Sequence, residues 1–208
     1  MNPEGEKERG PFDYPLQRHR RRHTPRMQTD YRRYKPCLRD EFRFTCVYCL
    51  MREPWLGAHF YFGVEHYRAK SKGGRSRHHY SNLLYACNQC NNAKGETSFA
   101  PELHPDEFPY GRVIRLAEDG SLETSSPAHK KFILDLNLNR EGLRLYRAEL
   151  QEVWELAEEL AARGEERAAT ILMKRFRWPH DMPTLEELAV LGRACRPYSG
   201  RAGRKPWF

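Results

Sequence analysis

The chain has 208 residues, a formal charge of +8 and a pI near 9.3, enough length for one domain with attachments or two small ones. That charge asks for a polyanion, with nucleic acid first and an anionic membrane surface as its rival. No apolar run is long enough to span a bilayer and the N-terminus has no apolar segment of the secretory kind, so a soluble, cytoplasmic protein is expected. In chain order, residues 1–35 come first, rich in arginine and nearly free of aliphatic residues. Up to Pro36 they hold ten Lys/Arg against five Asp/Glu, most of the net charge. Such a stretch buries too little surface to offset chain entropy, so a disordered basic arm is expected, either a solubilising tail or a phosphate-binding extension.

Residues 36–126 carry the chemistry. Cys46 and Cys49 form one Cys-x-x-Cys pair and Cys87 and Cys90 a second, with 37 residues between them. Two such knuckles grip one tetrahedral ion, and four thiolates close its coordination sphere, so the pattern reads as a structural Zn2+ site. Four reduced core cysteines or two redox pairs are the plainer alternatives. The absence of an export signal favours metal over disulfides. Cys37 and Cys195 lack such partners and read as ordinary thiols.

Between the knuckles, "FYFGVEHYRAKSKGG" begins as a β-prone aromatic run with Glu65 and His66 near its end and closes on a Gly-Gly turn. "YSNLLYAC" supplies a second strand, and Cys87–Cys90 open a helix bearing Asn91, Asn92 and Lys94. Two strands and a helix with carboxylate, imidazole and amide groups at their junction suit a hard divalent ion beside a group that activates water. Downstream, Val113, Ile114 and Leu116 before Asp119-Gly120, with Leu122 after it, predict a small hairpin.

Residues 127–196 read as helical. Leu143, Tyr146, Leu150, Val153, Trp154, Ala157 and Leu160 recur at spacings of three and four. Gly164 ends or bends that helix, a second runs through Ile171 and Leu172 to about Phe176, and Thr184 with Glu187 caps a third over 185–195. Residues 197–208, rich in Gly and Arg, read as a flexible tail. The fold class is therefore α+β: a small core of two strands and a helix with structural zinc, then a hairpin and a helical C-terminal region.

Residues 46–95 resemble the HNH endonuclease family, in its HNN form. The resemblance rests on the two knuckles, the acidic-His pair, the Gly-Gly turn, "SNLLYAC" and "CNNAK". It implies that the small core is a ββα-metal nuclease module, with His66 as general base, Glu65 and Asn91 as ligands of a catalytic Mg2+ or Mn2+, and Asn82 as the residue holding the histidine loop. Glu65 stands where Asp is commoner, and Asn91 where the family's name expects His. By the same resemblance the reaction is phosphodiester hydrolysis, with DNA the expected substrate, RNA open, and 5′-phosphate and 3′-hydroxyl products. Lys94, Arg68, Lys70 and Lys72 are candidates to hold flanking phosphates, or else solvated surface.

"SPAHKKFILDLNLNREGLRLYRAEL" is similar to a segment that follows the nuclease core in HNH subunits of some bacterial anti-phage systems, including retron- and ATPase-associated ones. "DLNLN" also reads simply as a loop and helix N-cap. The similarity implies a defence role and a regulatory protein partner such as an ATPase, for which the acidic first helix offers a surface. The rival function is a zinc module that binds nucleic acid without cleaving it.

Overall fold

The computed structural model describes residues 10–56, 61–72, 74 and 78–176. Helices α1 (Lys35–Glu41) and α2 (Glu53–Leu56) precede β1 (Phe62–His66), which is followed by β2 (Leu83–Cys87) and α3 (Asn88–Lys94). Short strands β3 (Arg115–Leu116) and β4 (Leu122–Glu123) come next. Three helices follow: α4 (Pro127–Asp135), α5 (Glu141–Ala162) and α6 (Glu166–Met173). The class is α+β, as the sequence pattern indicates.

β1 and β2 pair antiparallel, with Val64 opposite Tyr85, Glu65 opposite Leu84 and His66 opposite Leu83. All five residues of β2 are buried, so the strand is packed on both faces. β1 begins in the same way, with Phe62 stacked on Tyr85 at 5.4 Å between ring centroids. Because side chains alternate along a strand, Phe62, Val64 and His66 share one face while Gly63 and Glu65 share the other. The amides of Asn88 and Asn91, on α3, lie beside Gly63 on that second face. The hairpin forms where Asp119-Gly120 predicts it: Asp119 accepts from the Ser121 backbone N–H at 2.9 Å and Gly120 sits at φ +78°. A side chain at Gly120 would also run into the backbone of Arg144 on α5.

α5 buries Leu143, Arg147, Leu150, Trp154 and Ala157. Gly164, at φ +80°, ends the helical turn that follows it. The "DLNLN" stretch runs from Asp135, the last residue of α4, through a turn over 136–139 that leads to Arg140, the N-cap of α5. Leu136 and Leu138 are fully buried, and Asn137 takes φ +47°. Asn139 pins β4 from both sides, accepting from the Leu122 N–H at 2.7 Å and donating to the Leu122 carbonyl at 2.9 Å. The buried Arg147 guanidinium donates to the carbonyls of Gly120 and Leu138, tying hairpin, connection and helix together.

The basic N-terminal stretch differs from expectation. From Gly10 on it packs on the core, with Phe12, Tyr14, His19, His23 and Tyr34 all buried. Aromatic and histidine side chains supply the burial that aliphatic residues do not, each fully buried aromatic being worth roughly 1.5–3 kcal/mol. Several arginines are matched locally: Arg21 with Asp106 at 2.8 Å and Arg22 with Asp40 at 2.9 Å. Cys37, read from the sequence as an ordinary thiol, is buried in α1. Cys195, the helix over 185–195 and the tail lie outside the described residues. Among the described residues, no helix is long and apolar enough to cross a membrane.

Candidate functional site

The sulfurs of Cys46, Cys49, Cys87 and Cys90 lie within 4.8 Å of one another, and all four residues are buried. Cys49 and Cys87 Sγ are 3.7 Å apart. That is too long for a disulfide, and it matches the roughly 3.8 Å edge of a tetrahedron built on bonds of about 2.3 Å to zinc. Tight turns present the pairs: the Leu50 N–H donates to the Cys46 carbonyl, and Cys87 stands at the N-terminus of α3 with Cys90 one turn inside it. Burial raises the Cys46 thiol well above its usual range, while hydrogen bonds from Cys46 and Cys49 hold Cys87 below it. Four thiols packed this way resist ionising together unless a cation joins them, so the donor set fits Zn2+. Arg140, just before α5, faces this centre. Burial alone would lower its pKa, but Cys90, Cys49 and Cys87 raise it, and its guanidinium also bonds Gln89 Oε1 at 2.8 Å.

Glu65, turned towards α3, is almost fully buried. Lys94 Nζ lies 2.7 Å from its Oε1, the Tyr48 hydroxyl donates to Oε2 at 2.6 Å, and the His66 backbone N–H adds a third contact. Burial raises the Glu65 pKa, with Lys94 and Tyr48 opposing the shift. From the sequence Lys94 is a candidate phosphate contact or else solvated surface. It is instead 1% exposed, its ammonium divided between Glu65 and the His66 carbonyl at 2.7 Å. The cause is its position one turn beyond Cys90 on α3, which points it beneath the end of β1. Asn91 is half-buried on the same helix.

His66 ends β1 on the opposite face from Glu65. Its ring meets that of Tyr31 at 4.5 Å and that of His78 at 6.4 Å. Asn82 spans the chain just after it, its Oδ1 accepting from the Arg68 N–H at 2.9 Å and its Nδ2 donating to the Arg68 carbonyl at 3.2 Å. Its own carbonyl accepts from the Tyr67 N–H. Arg68, Lys70 and Lys72 are exposed on the segment that leaves His66. Lys70 Nζ donates to the Tyr31 hydroxyl at 2.6 Å, a bond that leads the causes lowering the Tyr31 pKa.

The structure thus gathers two clusters of side chains around one strand end. Glu65, Lys94, Tyr48 and Asn91 belong to the α3 side; His66, Tyr31, His78 and Lys70 belong to the other. Sequence reading missed Tyr31, Tyr48 and His78. Tyr48 carried a signal, since it sits inside the first knuckle and must point into the same core. Tyr31 and His78 carried none, because only folding brings their segments to His66.

Residues 46–97 match the family model described as HNH endonuclease. The match takes in both knuckles, β1, β2 and α3, about a quarter of the chain. Comparison with curated proteins and with solved structures gives no match.

Proposed function

With residues 46–97 an HNH endonuclease domain, we propose that the protein is a divalent-metal-dependent endonuclease acting on DNA. The observation that carries this reading is His66, the residue matched to the family's base, standing at the end of β1 where the exposed Arg68, Lys70 and Lys72 emerge. A phosphodiester resists attack because its oxygens are anionic and its leaving alkoxide is poor. A neutral imidazole at His66 takes the proton of the attacking water. Asn82 fixes the backbone that follows His66, and the exposed cations hold flanking phosphates. The products carry 5′-phosphate and 3′-hydroxyl ends.

The donor types on the α3 side fit a hard cation: the Glu65 carboxylate with the Asn91 amide, next to a glycine that puts no side chain in the way. Mg2+ or Mn2+ held there would screen the phosphate and stabilise the departing oxygen. Glu65 contributes to that site only by loosening the contact with Lys94. The four cysteines hold a separate structural Zn2+.

A second reading, a zinc domain that binds nucleic acid without cleaving it, is favoured by one observation: protein donors already occupy both Glu65 oxygens. Supercoiled plasmid, linear duplex, single-stranded DNA and RNA, each with Mg2+, Mn2+ or EDTA, separate the two. Cleavage in a divalent metal that stops in EDTA, with ends that ligate as 5′-phosphates, supports the nuclease. Binding without cleavage in either metal supports the module.

The proposal extends to an anti-phage effector role, supported by the similarity of residues 126–150 to the segment that follows the nuclease core in such systems. The exposed face of α5, with Glu149, Glu152, Glu155 and Glu159, suits a basic regulatory protein such as an ATPase better than DNA.

A further inference from the structure

Tyr31 lies outside the stretch that matches the nuclease family, yet it reaches the centre of the site. Its ring meets the His66 ring with 4.5 Å between centroids and 76° between planes. The backbone around it is firmly held. Asp30 caps the 3-10 turn over Tyr31–Tyr34 by accepting from the Arg32 N–H at 3.0 Å. Tyr34, 1% exposed, accepts from the Gln28 N–H at 2.7 Å and packs against Tyr80. The chain then continues directly into α1. Tyr31 itself is half-buried, and its hydroxyl is spent on the exposed Lys70 rather than on the core. The Lys70 ammonium stands 4.3 Å from the Tyr31 ring centre, and His78 flanks the same ring at 5.8 Å.

A residue that only filled the core would not need this arrangement. An imidazole that deprotonates water must hold one ring nitrogen in a fixed direction, and a perpendicular ring contact of ordinary strength favours one orientation roughly twofold to tenfold. We infer that Tyr31 is a positioning residue of the nuclease centre: its ring fixes the His66 imidazole, and its hydroxyl holds the Lys70 ammonium beside it to receive a phosphate of the substrate. The N-terminal segment therefore completes the site that the matched domain begins. This inference rests on His66 acting as the base.

The test uses the full chain with its zinc, supercoiled plasmid and Mn2+, and separates kcat from KM. Tyr31→Phe keeps the ring and releases Lys70. It should leave kcat within about twofold and raise KM about twofold to fivefold, the scale of one exposed ionic contact. Tyr31→Ala should lower kcat severalfold, up to about tenfold and by more than Tyr31→Phe does. It should also move the His66 ring-proton resonances, which Tyr31→Phe leaves in place. Tyr31→Leu, which keeps apolar bulk without the ring, replaces the alanine variant if that one loses its zinc, and should show the same loss of kcat. Wild-type kcat in the ringless variant would overturn the inference. So would a raised kcat, which would make Tyr31 a cover over the base. An inactive His66→Ala beside such a result confines the failure to Tyr31, whereas an active His66→Ala, or a wild type that does not cleave, overturns the underlying reading as well.

Discussion

Lys94→Met removes the ammonium from a pair in which both side chains are all but fully buried, 1% and 2% exposed and 2.7 Å apart. Taking one partner from such a pair leaves the other charge without compensation and costs about 3–5 kcal/mol. The His66 carbonyl, which accepts from Lys94 at 2.7 Å, loses its donor at the same time. Against a total stability of about 5–15 kcal/mol this is a large fraction. In urea denaturation at fixed free zinc, an m value of about 2 kcal/mol/M turns it into a midpoint lower by roughly 1.5–2.5 M with m unchanged. The double variant with Glu65→Leu should recover part of the loss, because the charge is gone, while Tyr48 still lacks its acceptor. The pH dependence has a definite sign. Burial already raises the Glu65 pKa, and removing Lys94 raises it further. The folded state then keeps a proton that the unfolded state releases, so the variant should weaken as pH rises above the unfolded glutamate value of about 4.3. A Lys94→Met loss below about 1 kcal/mol, or a double variant weaker than the single by the full cost of a second lesion, would refute the buried pair as the organiser of the β1 end.

Three further outcomes follow from other parts of the molecule. Metal analysis of dialysed protein should return one zinc per chain, and Cys49→Ser or strong chelation should cost folding as well as activity, because binding energy at such sites is folding energy; folded protein without zinc would end the assignment. Burial alone would raise the Glu41 pKa, but the His19 hydrogen bond and charge, Arg21 and the Arg22 N–H hold it at about 2 against an ordinary 4.5. It should supply about 3 kcal/mol, present above pH 4.5 and lost as pH falls towards 2. Burial also lowers the pKa of His19, and that of His104 to about 4, so acid weakening begins below pH 6.5, and Glu41→Gln should remove the lower phase of an acid titration of stability followed by circular dichroism. Asn82→Ala frees both sides of the Arg68 peptide; kcat for plasmid nicking should fall by about an order of magnitude with zinc retained, and an unchanged kcat would deny the loop its role.

Much of the architecture was legible because its signals are local. Cysteine spacing, the Asp119-Gly120 turn, the apolar stripe of α5 and the Gly164 stop each lie within a few residues of what they determine. Long-range charge pairing was not legible. Nothing near Lys94 in sequence shows that its ammonium is turned inward, since that depends on Glu65 arriving from β1. Arginine content made the N-terminal stretch look unable to fold, whereas Phe12, Tyr14 and Tyr34 insert into a core built by later segments and His19 meets Glu41 at 3.1 Å. Low aliphatic content predicts disorder only where no preformed surface accepts the aromatics. Alternation along β1 was readable, but not that it would send Glu65 to Tyr48 and His66 to Tyr31.

The central claim is metal-dependent hydrolysis with His66 as the base. The most direct measurement compares wild type and His66→Ala on supercoiled plasmid with protein in excess, in Mg2+ or Mn2+, with zinc content and thermal midpoint recorded for both. The account predicts equal zinc and similar midpoints, with single-turnover cleavage by His66→Ala lower by a factor on the order of 10² to 10⁴. Cleavage by His66→Ala at close to the wild-type rate, from protein that EDTA still silences, would contradict it.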